Sequence, residues 1–488
     1  MNALSHGTLR PRMPAVLPKR KPAAGTSRGE ERGAGWQIWS LAGVLFFMYM
    51  LLSLRIHERM MSNSFDLAIF EQVVRSYAHG RLPVSEVKGP DFPVLGDHFS
   101  PVLATIAPLY WLWPTVKTLL VVQAALVAVS VIPLAVWVRR TLGLTAALVI
   151  GAAYGLSWGV ASAVGFDFHE VAFAAPFLAC SLAALGQERL RAAAWWAMPL
   201  LLVKEDLGLA VCVIGLLIAR RGDRRIGLIT AGIGLAASLL TVLVILPAFS
   251  PTGGYGHWSG LENATAEGSG LGSLLFRGTI GVITPLEKAS TLLLSLAPTL
   301  FLALRSPLIL VAVPTFAWRF VSHYMANWGV SYHYSLVVMT IVFAAFIDAL
   351  VRRRPGIPSL RRYLAGAAAV ALLLLPQFPL WKLVQPATWQ SDPRIGAARD
   401  VMRLIPDGAT VQASTFLVPQ LAGRTSVSLF GWADSRPNPQ WILVDTLVEQ
   451  NRRWPLSFFQ ERDALDSARA RGYSTVANHY GFVLLRRS

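Results

Sequence analysis

The stretch WQIWSLAGVLFFMYMLLSLRIHERMMSNSFDLAIFEQ, residues 36–72, sets a long apolar run against an acid. Residues 36–54 carry no charge and are long enough to cross a hydrocarbon core, which takes roughly 20 apolar residues. After Arg55 the text changes, and SNSFDLAIFEQ (62–72) opens like a helix. Ser64 is placed to act as N-cap, and Asp66 falls in the first turn, where negative charge suits the helix dipole. Periodicity asks more of Asp66 than that. At about 100° per residue, Asp66, Phe70, Val73 and Tyr77 form one stripe with apolar flanks, while Glu71, Gln72, Arg75 and Ser76 form an opposite, solvated face. A carboxylate on the apolar face needs a partner or a purpose.

Working outward, apolar runs recur at 116–138, 142–163, 171–186, 193–204, 207–219, 226–247, 286–304, 307–321, 334–351 and 363–380. With 36–54 this makes about eleven spans. The basic segments 139–140, 187–191, 220–225, Arg305 and 352–362 then share one side with the basic tail 1–35, as positive charge retained in the cytoplasm requires. The N-terminus is expected inside and the C-terminus outside. Residues 55–115 form a first outer loop, in which 101–114 reads as a re-entrant or interfacial helix.

Composition agrees. The chain has 488 residues, 54% of them hydrophobic and 15% charged, with mean hydropathy +0.49. That excludes a soluble protein behind a cleaved leader. The net charge of +17 sits in short loops between apolar runs, so it reads as topology and not as a nucleic-acid surface. Cys180 and Cys212, the two cysteines, both lie in apolar runs and offer no disulfide framework.

The pattern changes after the transmembrane domain, expected at 36–385. Residues 386–488 read as a small extracytoplasmic α/β domain. Helices are expected at 395–404 and 457–471, and strands at 410–413, 426–429, 441–444, 473–477 and 482–485. No Gly-rich phosphate loop or nucleophile triad is present there, and a nucleotide role is rejected.

On this topology the outer loops collect the chemistry-bearing residues. The first holds Asp66, Glu71, Arg75, Asp91, Asp97 and His98. The second holds Asp167, His169 and Glu170 in GFDFHE, and the third the triplet KED (204–206). Later loops add His257, Glu287, Lys288, Arg319, His323 and the segment WGVSYHYS with Tyr332, His333 and Tyr334. Charges at span ends are costly to desolvate, so they line a cavity or pair with one another. Plainer roles stand beside the functional ones. KED reads equally as an internal ion pair, with Lys204 neutralised by Glu205 or Asp206. Asp97 in GDHFSP is placed to cap a helix that Pro101 starts, and many tryptophans read as interfacial belts.

The set FDLAIFEQ (65–72), GDHFSP (96–101), FHE (168–170), KED (204–206), YHYS (332–335) and IPDGATVQAS (405–414) resembles the GT-C superfamily of membrane glycosyltransferases. More narrowly it resembles the bacterial domain-of-unknown-function 2079 family. The resemblance implies a polytopic α-helical membrane protein of GT-C-like architecture, set in a bacterial plasma membrane with its site facing outside. It implies a hexosyl- or pentosyltransferase that takes a sugar from a polyprenyl-phosphate donor to a cell-envelope glycan, lipid or protein. Asp66 is the implied general base. Asp97, His98, His169, Glu170, Lys204, Glu205, Asp206, Arg319, His323, Tyr332, His333 and Tyr334 are the implied substrate-binding residues. Some relatives hold a divalent metal with a paired-acid motif. Here Leu67 and Ala68 follow Asp66, so a Mg or Mn site would have to be assembled from Asp66, Asp97, His98 and Glu170. A transporter or flippase of lipid-linked glycans is the alternative, but it should place its charges near the midplane. A non-catalytic envelope assembly factor is a third reading, and it would tolerate loss of Asp66.

Overall fold

The computed structural model describes residues 35–251, 253, 280–322 and 324–488. Most of the basic tail, His257 and His323 lie outside the described residues. The helices used below are α1 (Trp36–Glu58), α2 (Ile69–Ala78), α3 (Ala107–Leu112), α4 (Val116–Leu142), α5 (Leu144–Gly155), α6 (Trp158–Val164) and α7 (Ala174–Gly186). They continue with α8 (Leu207–Arg220), α9 (Arg224–Leu240), α10 (Val313–Val321), α11 (Ser335–Arg353), α12 (Ile357–Leu374), α13 (Pro393–Arg403) and α14 (Phe458–Ala470).

All eleven apolar runs fold as helix, some broken by 3₁₀ turns. Among the described residues, five helical segments are long and apolar enough to cross a membrane: α1, α4, α11, Arg224–Phe249 and Ile357–Gln377. The run 142–163 is a pair, α5 and α6, bent by 51°. Runs near KED and Arg319 are shorter helices, Leu190–Leu202, α8 and Pro307–Val321. Burial sorts the long helices into centre and rim. The apolar window of α11 is 89% buried, whereas that of Ile357–Gln377 is 11% buried. In α1, Ile38, Ala42, Leu45, Tyr49, Leu52 and Ile56 are buried at helical spacing, while Trp39, Val44, Phe47 and Leu51 are exposed. An apolar face turned outward suits a hydrocarbon solvent.

Polar side chains fasten the bundle from within. The Tyr49 hydroxyl donates to Gly155 O at 2.6 Å and that of Ser53 to Val164 O at 2.8 Å, so α1 grips the ends of α5 and α6. Helices α8 and α9 approach closely because they meet through glycines, as small residues allow in membranes. A Cβ on Gly215 would lie 2.3 Å from Ala231 N, and one on Gly227 would lie 2.3 Å from Ala219 N.

The first loop carries a π turn at Ser64–Ala68, then α2, then a 3₁₀ turn at Pro101–Ile106 that runs into α3. Leu109, Trp111 and Leu112 on this short helix and Trp113 just past it are exposed, which fits the expected interfacial element. Two expectations for α2 fail. Ser64 is not an N-cap: its hydroxyl shares a hydrogen bond with Thr415 Oγ1 at 2.9 Å. The face expected to be solvated is covered, with Glu71 and Gln72 buried. Gln72 Nε2 donates to Val427 O, Arg75 donates to Ala422 O, and Tyr110 hydrogen-bonds Glu71. Helix periodicity alone does not reveal that a sheet two-thirds of the chain away covers that face.

That sheet has five strands, β1 (Thr410–Ala413), β2 (Ser426–Leu429), β3 (Trp441–Asp445), β4 (Tyr473–His479) and β5 (Phe482–Arg487), in the order β2-β1-β3-β5-β4. The first three are parallel and the last two antiparallel to their neighbours. β3 is nearly all apolar because both of its faces are covered, as a central strand requires. Trp441 and Leu443 join the core shared with α13 and the membrane bundle. Ile442 and Val444 pack with Leu465 and Ala468 of α14.

The glycine contact yields a test. Gly215→Ala should destabilise the protein by about 1–3 kcal/mol, the usual range for overpacking. Gly232→Ala, whose Cβ meets nothing within 4 Å, should not. Thermal unfolding of both variants in detergent micelles measures the difference, and equal stabilities would contradict the close approach.

Candidate active site

Asp66 sits in the π turn that leads into α2, and the loop that follows α6 meets it. His169 Nε2 lies 2.9 Å from Asp66 Oδ1. A carboxylate only accepts, so Nε2 carries the proton of this bond. The His169 side chain is 3% exposed and that of Asp66 26% exposed. The acid is anchored on one side and open on another.

The loop is held by a side chain of α4. Gln123 Oε1 accepts from His169 N at 2.9 Å, and Gln123 Nε2 donates to Asp167 O. Asp167 has a positive φ of 44°, and its Oδ2 accepts from Asn63 N at 2.7 Å. Asp167 thus ties the chain just ahead of Asp66 to the loop bearing His169. Burial and the neighbouring Asp66 charge push the Asp167 carboxyl up to about 7.

Stacked aromatic rings back this contact. The rings of His169 and His333 are stacked with centroids 3.4 Å apart. Phe166 stacks on His169 and meets Tyr332 edge-on at 4.7 Å. Tyr334 lies 4.2 Å from His333. Burial, then the positive groups around it, hold the His333 imidazole well below its ordinary value. It is a neutral ring.

Cationic groups bear on the stacked histidines: Lys204 and His98 both act on His333. Lys204 Nζ pairs with Glu170 Oε1 at 3.0 Å, and Glu170 is fully enclosed. The expected pairing of Lys204 within KED is therefore corrected. The chain turns between the 3₁₀ segment Met198–Leu202 and α8, and Lys204 reaches across to the FHE loop. Glu205 and Asp206 bear on Lys204 through charge alone. Burial pushes the Asp206 carboxyl up to about 6 against the pull of Lys204. Asp97 is likewise not a cap. It accepts from Lys88 Nζ at 2.6 Å and pairs with His98 Nδ1 at 2.5 Å. Burial alone would raise its carboxyl, but His98 and Lys88 outweigh burial and hold it well below the usual range.

Arg319 of α10 is fully buried and spends its guanidinium on the loop that follows. It donates to Asn327 O at 2.8 Å, Gly329 O at 3.0 Å and Ser335 Oγ at 3.2 Å. It shapes the segment that carries Tyr332, His333 and Tyr334. The four residues named for a metal do not fit one. Among the described residues no group of three His, Cys, Asp or Glu side chains is arranged to hold an ion. Asp97 is bound to Lys88 and His98, and Glu170 to Lys204.

Asp167 and Lys88 were not expected in the site. GFDFHE announces Asp167 only as one acid among several, and nothing local to Lys88 points to Asp97. The loop gives a pH test. An ordinary aspartate titrates near 4, so the folded chain holds a proton on Asp167 that the unfolded chain releases. Stability from this group falls as pH rises from about 4 to about 7 and is level above that. Asp167→Asn should remove this fall. The difference in unfolding free energy between wild type and variant should change by up to about 4 kcal/mol across the window, at about 1.4 kcal/mol per pKa unit. Unfolding in detergent at a series of pH values measures it, and a pH-independent difference would contradict it.

Comparisons bear on this arrangement. The overall architecture matches the structure titled ArnT from Cupriavidus metallidurans bound to undecaprenyl phosphate. The TM-score is 0.50 at 14% identity, covering 91% of this chain and 97% of that one. The apo state of the same protein gives 0.49 at 12% identity, covering 93% and 98%. The Archaeoglobus fulgidus oligosaccharyltransferase gives 0.39 at 13% identity, covering 80% and 65%. No curated protein sequence matches. The family model described as predicted membrane protein (DUF2079) matches residues 56–484. With the match running from the end of α1 to β5, the chain belongs to the DUF2079 family of membrane proteins.

Proposed function

We propose that the chain is a membrane glycosyltransferase that moves a sugar from a polyprenyl-phosphate carrier to a cell-envelope acceptor at the outer face of the membrane. The observation that carries this reading is the Asp66 carboxylate, partly open and hydrogen-bonded to a buried His169. Lys204, His98 and His333 lie close enough to feel one another's charge, and His333 stacks on the His169 that bonds Asp66. The fold shared with a protein titled as bound to undecaprenyl phosphate supports the same class of donor.

The chemistry follows from the residues. The acceptor hydroxyl approaches the exposed side of Asp66, which takes its proton as the oxygen attacks C1 of the donor sugar. The bond between C1 and the phosphate oxygen breaks, and the polyprenyl phosphate leaves with the bonding electrons. Its growing negative charge is met by Lys204 and His98, cations whose charge reaches the stacked His333. His169 keeps Asp66 oriented through one oxygen and leaves the other for the acceptor. A single displacement of this kind inverts the anomeric centre. Tyr332 and Tyr334 offer faces to the sugar or its lipid. The exposed apolar residues of α3 sit at the membrane surface, where a lipid-borne donor arrives.

Asp66→Asn should lower transfer by about 10²–10⁴-fold, the usual contribution of a positioned base. Release of free polyprenyl phosphate from a panel of polyprenyl-phosphate sugars, in lipid vesicles with envelope glycans as acceptor, measures it. Equal release by wild type and variant would remove Asp66 from the chemistry.

A further inference from the structure

The C-terminal domain rests on the ends of two membrane helices, and a basic crevice opens beside that contact. It has a volume of about 580 Å³ and is lined by Arg399, Met402, Arg403, Asp407, Gln420 and Arg424, among others. Three guanidiniums thus meet one carboxylate. Arg424 is spent on the wall: it donates to Met402 O and Ile405 O at the end of α13 and pairs with Asp407. Arg399 and Arg403 are exposed. Among the described residues Arg399 makes one hydrogen bond, to Glu58 O at 3.3 Å, and Arg403 one ion pair, to Asp400 at 3.0 Å. A guanidinium carries five N–H donors, and an exposed pair such as Arg403 with Asp400 holds only weakly. Both arginines therefore have donors to give to an anion.

The place of the crevice narrows the anion it takes. Glu58, which receives Arg399, is the last residue of the span α1, and Gln420 Nε2 donates to His57 O at 2.8 Å. Lys117, in the first turn of the span α4, pairs with Glu58 Oε1 at 3.4 Å. The charges of Lys117 and Arg399 both act on His57. The Glu58 carboxylate is itself neutralised by Arg55 and Lys117. Phe47 and Leu51 lie about three and two turns before Glu58 on one stripe of α1, and both are exposed. The stripe that suits hydrocarbon therefore ends at Glu58. On another side Gly423, next to Arg424, lies against the chain that links α3 to α4, with Pro114 O 3.6 Å from where its Cβ would be. The exposed Trp111, Leu112 and Trp113 precede that contact, and tryptophans of this kind settle at a membrane surface.

We propose that this crevice binds the phosphate of an anionic membrane lipid, in the leaflet on the C-terminal domain's side. Arg399 and Arg403 hold the phosphate, which the planar guanidinium matches with paired N–H bonds, and the acyl chains follow the Phe47 and Leu51 stripe of α1. Free inorganic phosphate would meet the same arginines but use nothing of that stripe. None of the lining residues belongs to the candidate active site, so the inference stands apart from the transferase reading. A lipid held there fastens the C-terminal domain to the membrane, and through Thr415 and Ser64 the turn that bears Asp66.

Native mass spectrometry of the full-length protein released from detergent micelles tests this. The probes are dioctanoyl phosphatidylglycerol, dioctanoyl phosphatidylcholine and inorganic phosphate. Wild type should bind phosphatidylglycerol in preference to phosphatidylcholine. Arg403→Ala should weaken phosphatidylglycerol about tenfold, the loss of one charge-assisted hydrogen bond, and Arg399→Ala with Arg403→Ala should weaken it further. Arg469→Ala, which removes an exposed guanidinium from α14 of the same domain, should bind as wild type does. Arg403 makes only an exposed pair, so its variant should melt with wild type and decides the matter even if the double variant fails to fold. Equal binding by Arg403→Ala, or equal binding of the two lipids, would overturn the proposal. Displacement of phosphatidylglycerol by an equal concentration of inorganic phosphate would assign the crevice to a soluble anion and overturn it as well. The readout needs no turnover.

Discussion

The hydrogen bond between His169 Nε2 and Asp66 Oδ1 is the constraint around which the rest is arranged. It joins two loops a hundred residues apart, and each loop is fastened elsewhere. The first is tied by Asn63 to Asp167 and by Ser64 to the C-terminal sheet. The second is tied by Gln123 of α4. Behind His169 stacks the His333 ring, carried by a segment that Arg319 holds by its backbone. A carboxylate fixed this way loses little freedom when a substrate arrives, and orientation of that kind is a large part of what a site contributes to rate.

The C-terminal domain belongs to the same construction. It covers α2 through Gln72 and Arg75, and Arg436 makes two bonds to Glu86 of the first loop. One core runs from the membrane helices into this sheet. The domain therefore acts on the site directly: the turn bearing Asp66 is pressed between the bundle and the carboxyl edge of the sheet.

Legibility of this arrangement in the sequence varied with the range of the interaction. The strands at 410–413 and 426–429 appear where alternation and turn residues put them, because strand patterning is local. The apolar runs are helical because composition alone decides that. The position of Asp66 on an apolar stripe demands a partner, and the structure supplies one in His169. The partner itself could not be read, since only the fold brings His169 to it. The same stripe argument misjudged Glu71, Gln72 and Arg75 as solvated, because polar residues at a domain interface look like polar residues in water. The alternative pairing of Lys204 within KED fails because its partner is Glu170, and the alternative cap by Asp97 fails because Ser100 holds the N-cap position and no side chain caps that turn. Ion pairs across loops leave no periodic trace. Lys88 is invisible for the same reason, and Asp167 stands out only as one acid among several in GFDFHE.

A structure of the protein in nanodiscs with a polyprenyl phosphate bound tests the central claim most directly. The account expects the phosphate against Lys204 and His98, in the same cavity as the open side of Asp66, with the lipid leaving past α3. A phosphate bound at the opposite end of the bundle, near the Asp348 and Arg221 pair, would contradict it.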